Sequence, residues 1–364
     1  MLHSAVVATL TEFLRSTKVT LMLKPQLRAS CRLLAVLLLA TSGCTKPDSI
    51  AKSLEPKGVR ITRNMQNQVT AIQFNEHVPN DEELSALCAI PGVREISFSG
   101  KQISETGWDA LKNCQTLEIV QILDASSGAA VKALAGHPSL TTLTITNAAD
   151  VNDEALLSLA ANTGLVTLRL TNTSISDAGL PVLESLTALT SLDLSGTSVS
   201  NSGVQQIVSS VPALEDLSLN ATKVDATGAT LVSSLTRLTK LSLRGCGLTD
   251  ESLAGPAACT TLKVLDVGEN PALTDAGILS LGKLSSLVSL DVSDSAFTGM
   301  GFNKAGFTSL ASLKANGTQV TDAAIEDFQI PTMYSLSVER TAVSEKGVRA
   351  VFATNHQTAV AFDK

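Results

Sequence analysis

The sequence predicts an α/β solenoid, a stack of strand–turn–helix units sharing one parallel sheet on a concave face, with short helices on the convex side. Three observations lead there. Apolar unit starts recur at Val69, Val93, Leu117, Leu140, Leu165, Leu189, Leu214, Leu238, Leu262, Leu287, Leu310 and Met333, with spacings of 23 to 25 residues. The clearest unit, LVTLRLTNTSISDAGLPVLESL from Leu165 to Leu186, alternates at its start and then places apolar residues in steps of three. Hydrophobic residues make up 44% of the chain but aromatics only 3%, a filling of Leu, Val, Ile and Ala that suits thin identical layers. In such an array each unit packs only on its neighbours, so length alone does not imply several globular domains.

The first 44 residues read as an export segment. Lys24, Arg28 and Arg32 precede the apolar run Leu33 to Ala40, and Thr41, Ser42 and Gly43 lead to Cys44. That is the order of a secretory signal, and the run is too short to span a bilayer as a mature helix. Met1 to Leu21 fits poorly in front of such a signal, so Met22 is the expected start. Residues 45–57, TKPDSIAKSLEPK, are polar with two prolines, lack helical periodicity and are expected to form a polar tether between anchor and solenoid. The solenoid is expected over residues 58–364. VRIT at 59–62 and VTAIQF at 69–74 would form a capping hairpin within an N-terminal cap, 58–74. TAVAF at 358–362 would close a C-terminal cap, 356–364.

Within a unit, alternation in LTSLDL (189–194) and LKVLDV (262–267) predicts a short strand. Ser176, Thr249, Thr274, Thr321 and Ser344 precede the helical half, where a hydroxyl can accept from free N–H groups. Asp177, Asp250, Asp275, Asp322 and Glu345 follow, where the helix dipole favours negative charge. These acids are therefore read as structural. The turn carries Thr173, Thr197, Thr222, Thr318 and Thr341, with Cys246 and Asn270 in two units. Two units depart from the pattern. Residues 117–139 lack the Ser/Thr–Asp signal, and 287–309 carry Phe297, Phe302 and Phe307, which predict a locally different layer.

These units resemble bacterial leucine-rich repeats of the short TDAGL-containing kind. They are also similar to the cysteine-containing repeats of F-box proteins. The resemblance covers roughly residues 69–355 and implies a horseshoe. It departs from the commonest pattern in the turn, where Thr stands for the usual Asn. TSGC at 41–44 resembles the lipobox of bacterial lipoproteins, which implies acylation of Cys44 as the new N-terminus; Thr41 stands where Leu is usual. Thr45 after that Cys resembles the outer-membrane sorting pattern of lipoproteins.

Charge narrows the partners. Beyond residue 44, 22 Lys and Arg face 33 Asp and Glu, a balance of −11, whereas nucleic acid calls for a basic footprint. No sequence motif for a nucleophile, metal or phosphate stands out. His3, His77, His137 and His356 share no ligand spacing, and TGMGFNKAG at 298–306 reads as a degenerate repeat. No catalytic residue, metal or cofactor is expected. Trp108 aligns with Leu180 and is expected in the core. Of the cysteines beyond the signal, Cys88, Cys114, Cys246 and Cys259, all are expected as free buried thiols, with Cys246 and Cys259 the one pair worth testing. The sequons at Asn172, Asn220 and Asn316 are incidental to a bacterial reading.

What can differ between copies is the outward row of the sheet. The candidate binding residues on the concave face are Arg169, Asp193, Ser218, Ser242, Asp266, Asp291 and Lys314 at the fifth unit position, together with Tyr334. Asp266 and Asp291 would be adjacent like charges, relieved by Lys314 or a bound cation. The expected function is a non-enzymatic, lipid-anchored scaffold presenting a polar, mildly acidic face to a protein partner in the cell envelope. The alternatives are a cytosolic F-box-like adaptor, for which residues 45–68 are too short to supply the extra helical segment, and a saccharide- or cation-binding envelope protein.

Overall fold

A computed structural model describes residues 47–124, 127–325, 328 and 330–363. The export segment, the start at Met22 and Cys44 lie outside these residues. The strands form one 14-stranded sheet in strict sequence order. Its first pair, Val59–Arg63 with Val69–Phe74, is antiparallel, and the others are parallel. A unit of fixed length returns each strand to the same register, so Leu168, Leu192, Leu217, Leu241, Leu265, Leu290, Leu313 and Leu336 lie side by side. All of them are buried. This is the leucine-rich repeat solenoid that the periodicity predicts.

The turn after each strand requires a left-handed residue at the eighth unit position. Asn147, Asn172, Gly196, Ala221, Gly245, Glu269, Asp294, Gly317 and Arg340 all have φ between 50° and 68°. At the ninth position the Thr hydroxyl donates back three residues, as from Thr197 to the Leu194 carbonyl at 2.6 Å and from Thr318 to that of Ala315 at 2.6 Å. Asn270 does far more. Its amide donates to the carbonyls of Leu243, Val267 and Gly268, and its oxygen accepts from the N–H groups of Cys246 and Leu248.

The Ser/Thr–Asp–x–Gly signal is a clamp between units as well as a helix start. Ser176 accepts from Ala178 N–H within its own unit, as a cap should. The following Asp reaches forward instead. Asp177 accepts from the Ser200 amide at 2.8 Å and from its hydroxyl. Asp153, Asp250, Asp275 and Asp322 repeat this toward Ser176, Thr274, Thr298 and Ser344. Helix dipole alone therefore understates the role of these acids. The clamp also explains the glycine. A Cβ on Gly203 would sit 2.3 Å from Asp177 Oδ1 and 2.8 Å from Val199 Cγ1. Gly203→Ala is expected to cost about 1–3 kcal/mol by overpacking. In a double-mutant cycle read by thermal denaturation, Asp177→Ala should absorb part of that cost; strict additivity would mean the two do not share one contact.

Steps of three suit a 3-10 helix, and Asp177–Glu184 is one. Other units use short α-helices, such as Asn201–Ser210 and Asp275–Ser280. In the unit lacking the signal, Asp150 of the next unit reaches back to the N–H groups of Ser127 and Gly128. The phenylalanine-rich unit keeps only the three-residue helix Phe302–Lys304. There Phe302 packs on Phe297, Phe307 and Phe328 at centroid distances of 5.1 to 5.5 Å.

Two expectations need correction. Residues 47–57 are not a polar tether: Pro47–Leu54 is an α-helix continued by a 3-10 turn, Glu55–Lys57. Ala51 and Leu54 are buried in the core, because Ile50, Ala51 and Leu54 fall on one helical face. The cysteines are not all free thiols either. Cys88 and Cys114 form a disulfide between the helical sides of successive units. Cys246 and Cys259 are free and buried. Cys246 sits in the turn against the Leu219 carbonyl and Cys259 against that of Val232 on the helical side, so these two do not pair. Trp108 is buried and stacks on Phe98, as a core residue. No helix among the described residues is long and apolar enough to cross a membrane.

Candidate functional site

The parallel register brings the fifth-position residues into one ladder: Thr144, Arg169, Asp193, Ser218, Ser242, Asp266, Asp291, Lys314 and Ser337. Many of these groups are occupied by the scaffold. Ser218 pairs with the hydroxyl of Ser195 at 2.8 Å and accepts from the Asn220 amide. Ser242 donates to Asn220 Oδ1 at 2.6 Å, and Ser337 to Asn316 Oδ1 at 2.8 Å. Asp193, Asp266 and Asp291 each accept from the backbone N–H two residues on. Asn220 and Asn316, two of the sequon residues, are likewise structural links between strands. Arg169 reaches Ser191 at 3.4 Å, whereas the Lys314 side chain is 59% exposed. Tyr334 is 58% exposed and stands at the second unit position, just before its strand and outside the ladder.

The adjacent carboxylates Asp266 and Asp291 are answered by Arg244, a residue the sequence reading did not single out. Arg244 stands at the seventh position, one strand earlier. Its Nη1 lies 3.7 Å from Asp266 and 3.8 Å from Asp291. Its Nη2 donates to Glu269 at 3.0 Å and lies 3.5 Å from Asp294. The guanidinium can lie there because the next unit has Gly268 at that position: a Cβ would fall 2.3 Å from Nη1. The charge pattern extends outward through Lys314, 3.9 Å from Asp291, and Arg340, 3.0 Å from Asp294. Burial raises the pKa of Asp266, and the Asp291 charge adds to the rise. Burial would lower that of Arg244, but the Glu269 hydrogen bond and the charges of Asp266, Glu269 and Asp291 outweigh it and raise the pKa. The acidic pair is thus part of a zwitterionic network, in which Arg244 faces both carboxylates and Lys314 reaches Asp291. Among the described residues no group of three or more His, Cys, Asp or Glu side chains is arranged to hold a metal. The free thiols are poor nucleophiles at neutral pH, since burial pushes Cys259 up to about 11 and also raises Cys246.

Two members of the network occupy positions where their backbone is costly. Glu269 and Arg340 have φ of 54° and 56° at the eighth position. Other units use Gly, Asn or Asp there, which tolerate the left-handed region better, and in one case Ala221. Scaffold geometry alone therefore does not account for a Glu and an Arg at these sites.

Comparison with known proteins agrees with this architecture. A family model described as leucine-rich repeat matches residues 185–208, 234–254 and 258–282. No curated protein matches the sequence. Among solved structures, the chain is similar to an internalin, inlF, from Listeria monocytogenes, with 18% identity, a TM-score of 0.57, and 86% of this chain and 93% of that one covered. An internalin C2 from the same organism gives 18% identity and a TM-score of 0.47 over 66% of this chain and 93% of that one. The ectodomain of the Arabidopsis receptor kinase HAESA, solved with a peptide hormone, gives 16% identity and 0.48 over 77% and 48%. At these identities the likeness is one of fold: the protein is a leucine-rich repeat solenoid similar in architecture to the inlF internalin.

Proposed function

We propose that this chain is a non-enzymatic, exported scaffold, held to the cell envelope by an acylated Cys44, that binds a protein partner through the C-terminal half of its concave face. The observation that carries the binding site is the placement of Glu269 and Arg340. Both are charged, exposed and retained at left-handed positions. They are the outer members of the Arg244 network, which Lys314 extends through Asp291. Mixed charges with one exposed tyrosine suit a partner surface that is itself charged in both senses, since complementary charge sets register and encounter rate. The disulfide Cys88–Cys114 supports maturation in an oxidising compartment outside the cytoplasm.

The test exploits the backbone. Glu269→Gly and Arg340→Gly remove the charges while relieving the left-handed strain, so the solenoid should keep its thermal midpoint. In pull-downs from envelope extract, the double variant with Tyr334→Ser is expected to lose the partner recovered by the wild-type chain. Equal recovery at equal stability would reject this face. Fatty-acid labelling of wild type against Cys44→Ala tests the anchor separately: label in both chains, or in neither, would reject it.

A further inference from the structure

From residue 214 onward, two junctions between units lack the clamping acid, whose place is taken by Ala226 and by Gly299. The other junctions keep it: Asp250, Asp275 and Asp322 hold Thr274, Thr298 and Ser344. The gap at Ala226 is compensated on the helical side. A Cβ on Gly255 would fall 2.2 Å from the Ala229 carbonyl, so the two units meet there at backbone contact. The gap at Gly299 is of another kind. Its φ is 81°, and a Cβ would lie 2.7 Å from the Phe328 ring, so an acid does not fit. Thr321, which a clamp would hold, accepts only from Ala324 N–H of its own unit among the described residues.

Convex packing is thin at the same junction. The helices there are Phe302–Lys304 and Asp322–Ile325, three and four residues long. Phe302 meets Phe328 at 5.1 Å, an apolar contact with no fixed direction. On the concave side the junction is crossed by charge. Arg340 grips Asp294 through Nη1–Oδ1 at 3.0 Å and Nη2–Oδ2 at 3.2 Å, two units back. The pair passes over the unit between because Gly317 stands beneath it: a Cβ there would lie 2.2 Å from Asp294 Oδ1. Lys314 reaches Asp291 across the same junction at 3.9 Å. The Arg340 side chain is 63% exposed, so salt reaches the pair.

We infer that this junction is a hinge, about which residues 310–363 swing against the preceding units, and that the Asp294–Arg340 pair is the latch that holds one setting. The hydrogen-bonded strands Ser289–Asp291 and Ser312–Lys314 form the pivot. Elsewhere the rim is tied by an acid on its neighbour's backbone and hydroxyl. Here the tie is an exposed ion pair, which salt weakens. Glu269 lies before the hinge, and Lys314 and Arg340 lie after it. Its setting therefore fixes the spacing of the binding face. That consequence rests on the site proposed above; the hinge itself does not.

The test measures distances between paired spin labels on the full chain. Thr236→Cys with Pro331→Cys spans four units across the hinge, and Thr187→Cys with Ser285→Cys spans four units that exclude it. All four positions are exposed and stand two residues before a unit start, so each pair is about 19 Å apart at the usual strand spacing. Cys246 and Cys259 are buried, and the chain without added cysteines supplies the blank. Asp294→Asn keeps a residue that tolerates the left-handed turn while removing the charge. That substitution, and 0.5 M salt (about a 4 Å Debye length) on the unsubstituted latch, are each expected to broaden the hinge pair's distribution and shift it to longer distance. The second pair should not move. A hinge pair unmoved by both treatments overturns the proposal. Equal broadening of the two pairs would make the solenoid uniformly elastic and also overturn it. A response to only one treatment would detach the motion from this ion pair and overturn the latch. No partner enters the measurement, so its failure is distinct from a failure of the pull-down.

Discussion

Asn270→Ala is expected to be among the most damaging single substitutions in the solenoid, costing about 3–5 kcal/mol. Asn270 is fully buried and its side chain meets five backbone groups, two N–H donors and three carbonyls. Alanine leaves these groups without that partner in a site closed to water, and each unsatisfied buried group costs about 1–3 kcal/mol before relaxation. Asn270→Thr should recover only part of the loss. A Thr hydroxyl has one donor, and in other units it is spent on the carbonyl three residues back. The measurement is chemical denaturation of both variants. A loss below about 1 kcal/mol for the alanine variant would show that the surrounding turns rearrange freely, contrary to this reading.

Removing the Cys88–Cys114 disulfide is expected to cost about 3 kcal/mol for a loop of this length, mostly by freeing the unfolded chain. The sequence separation is 26 residues, which confines the effect to the first units of the solenoid. Because a solenoid is held together by nearest-neighbour interfaces, the loss should be local rather than global. Cys88→Ser with Cys114→Ser, or reductant on the wild-type chain, should therefore raise amide exchange in the strands at 69–74 and 95–99. The strands from 191 to 291 should stay protected. Uniform loss along the whole array would mean that the units do not fold as a chain of neighbours.

Much of the fold was legible because it is written many times. One Leu in an alternating stretch is ambiguous, but Leu192, Leu217, Leu241 and Leu265, 24 or 25 residues apart, allow one register only. The clamp residues were visible too, though half their purpose was not. Asp177 looks like a helix-start acid until the next unit places Ser200 against it. Local periodicity was weakest at the N-terminal end. Ile50, Ala51 and Leu54 span one short helix among polar residues and prolines, so burial in the core settles the helix where pattern could not. The disulfide was missed for a related reason. Cys114 aligns with a buried leucine position, which suits a thiol as well as a bridge, and Cys88 falls outside the aligned core positions.

The candidate site divides in the same way. The ladder from Thr144 to Ser337 follows from the period alone, since equal spacing in a parallel sheet makes neighbours of equal positions. Which members of that ladder remain open to a partner does not follow from it. Ser218, Ser242 and Ser337 are tied down by the position-seven side chains Ser195, Asn220 and Asn316 of the preceding units. Arg244 crosses Gly268 to reach carboxylates that lie one and two units away. A repeat determines, through its period, which residues stack and which are buried. Direction and reach of long polar side chains depend on the space that neighbouring units leave, and that space exists only once the layers are assembled.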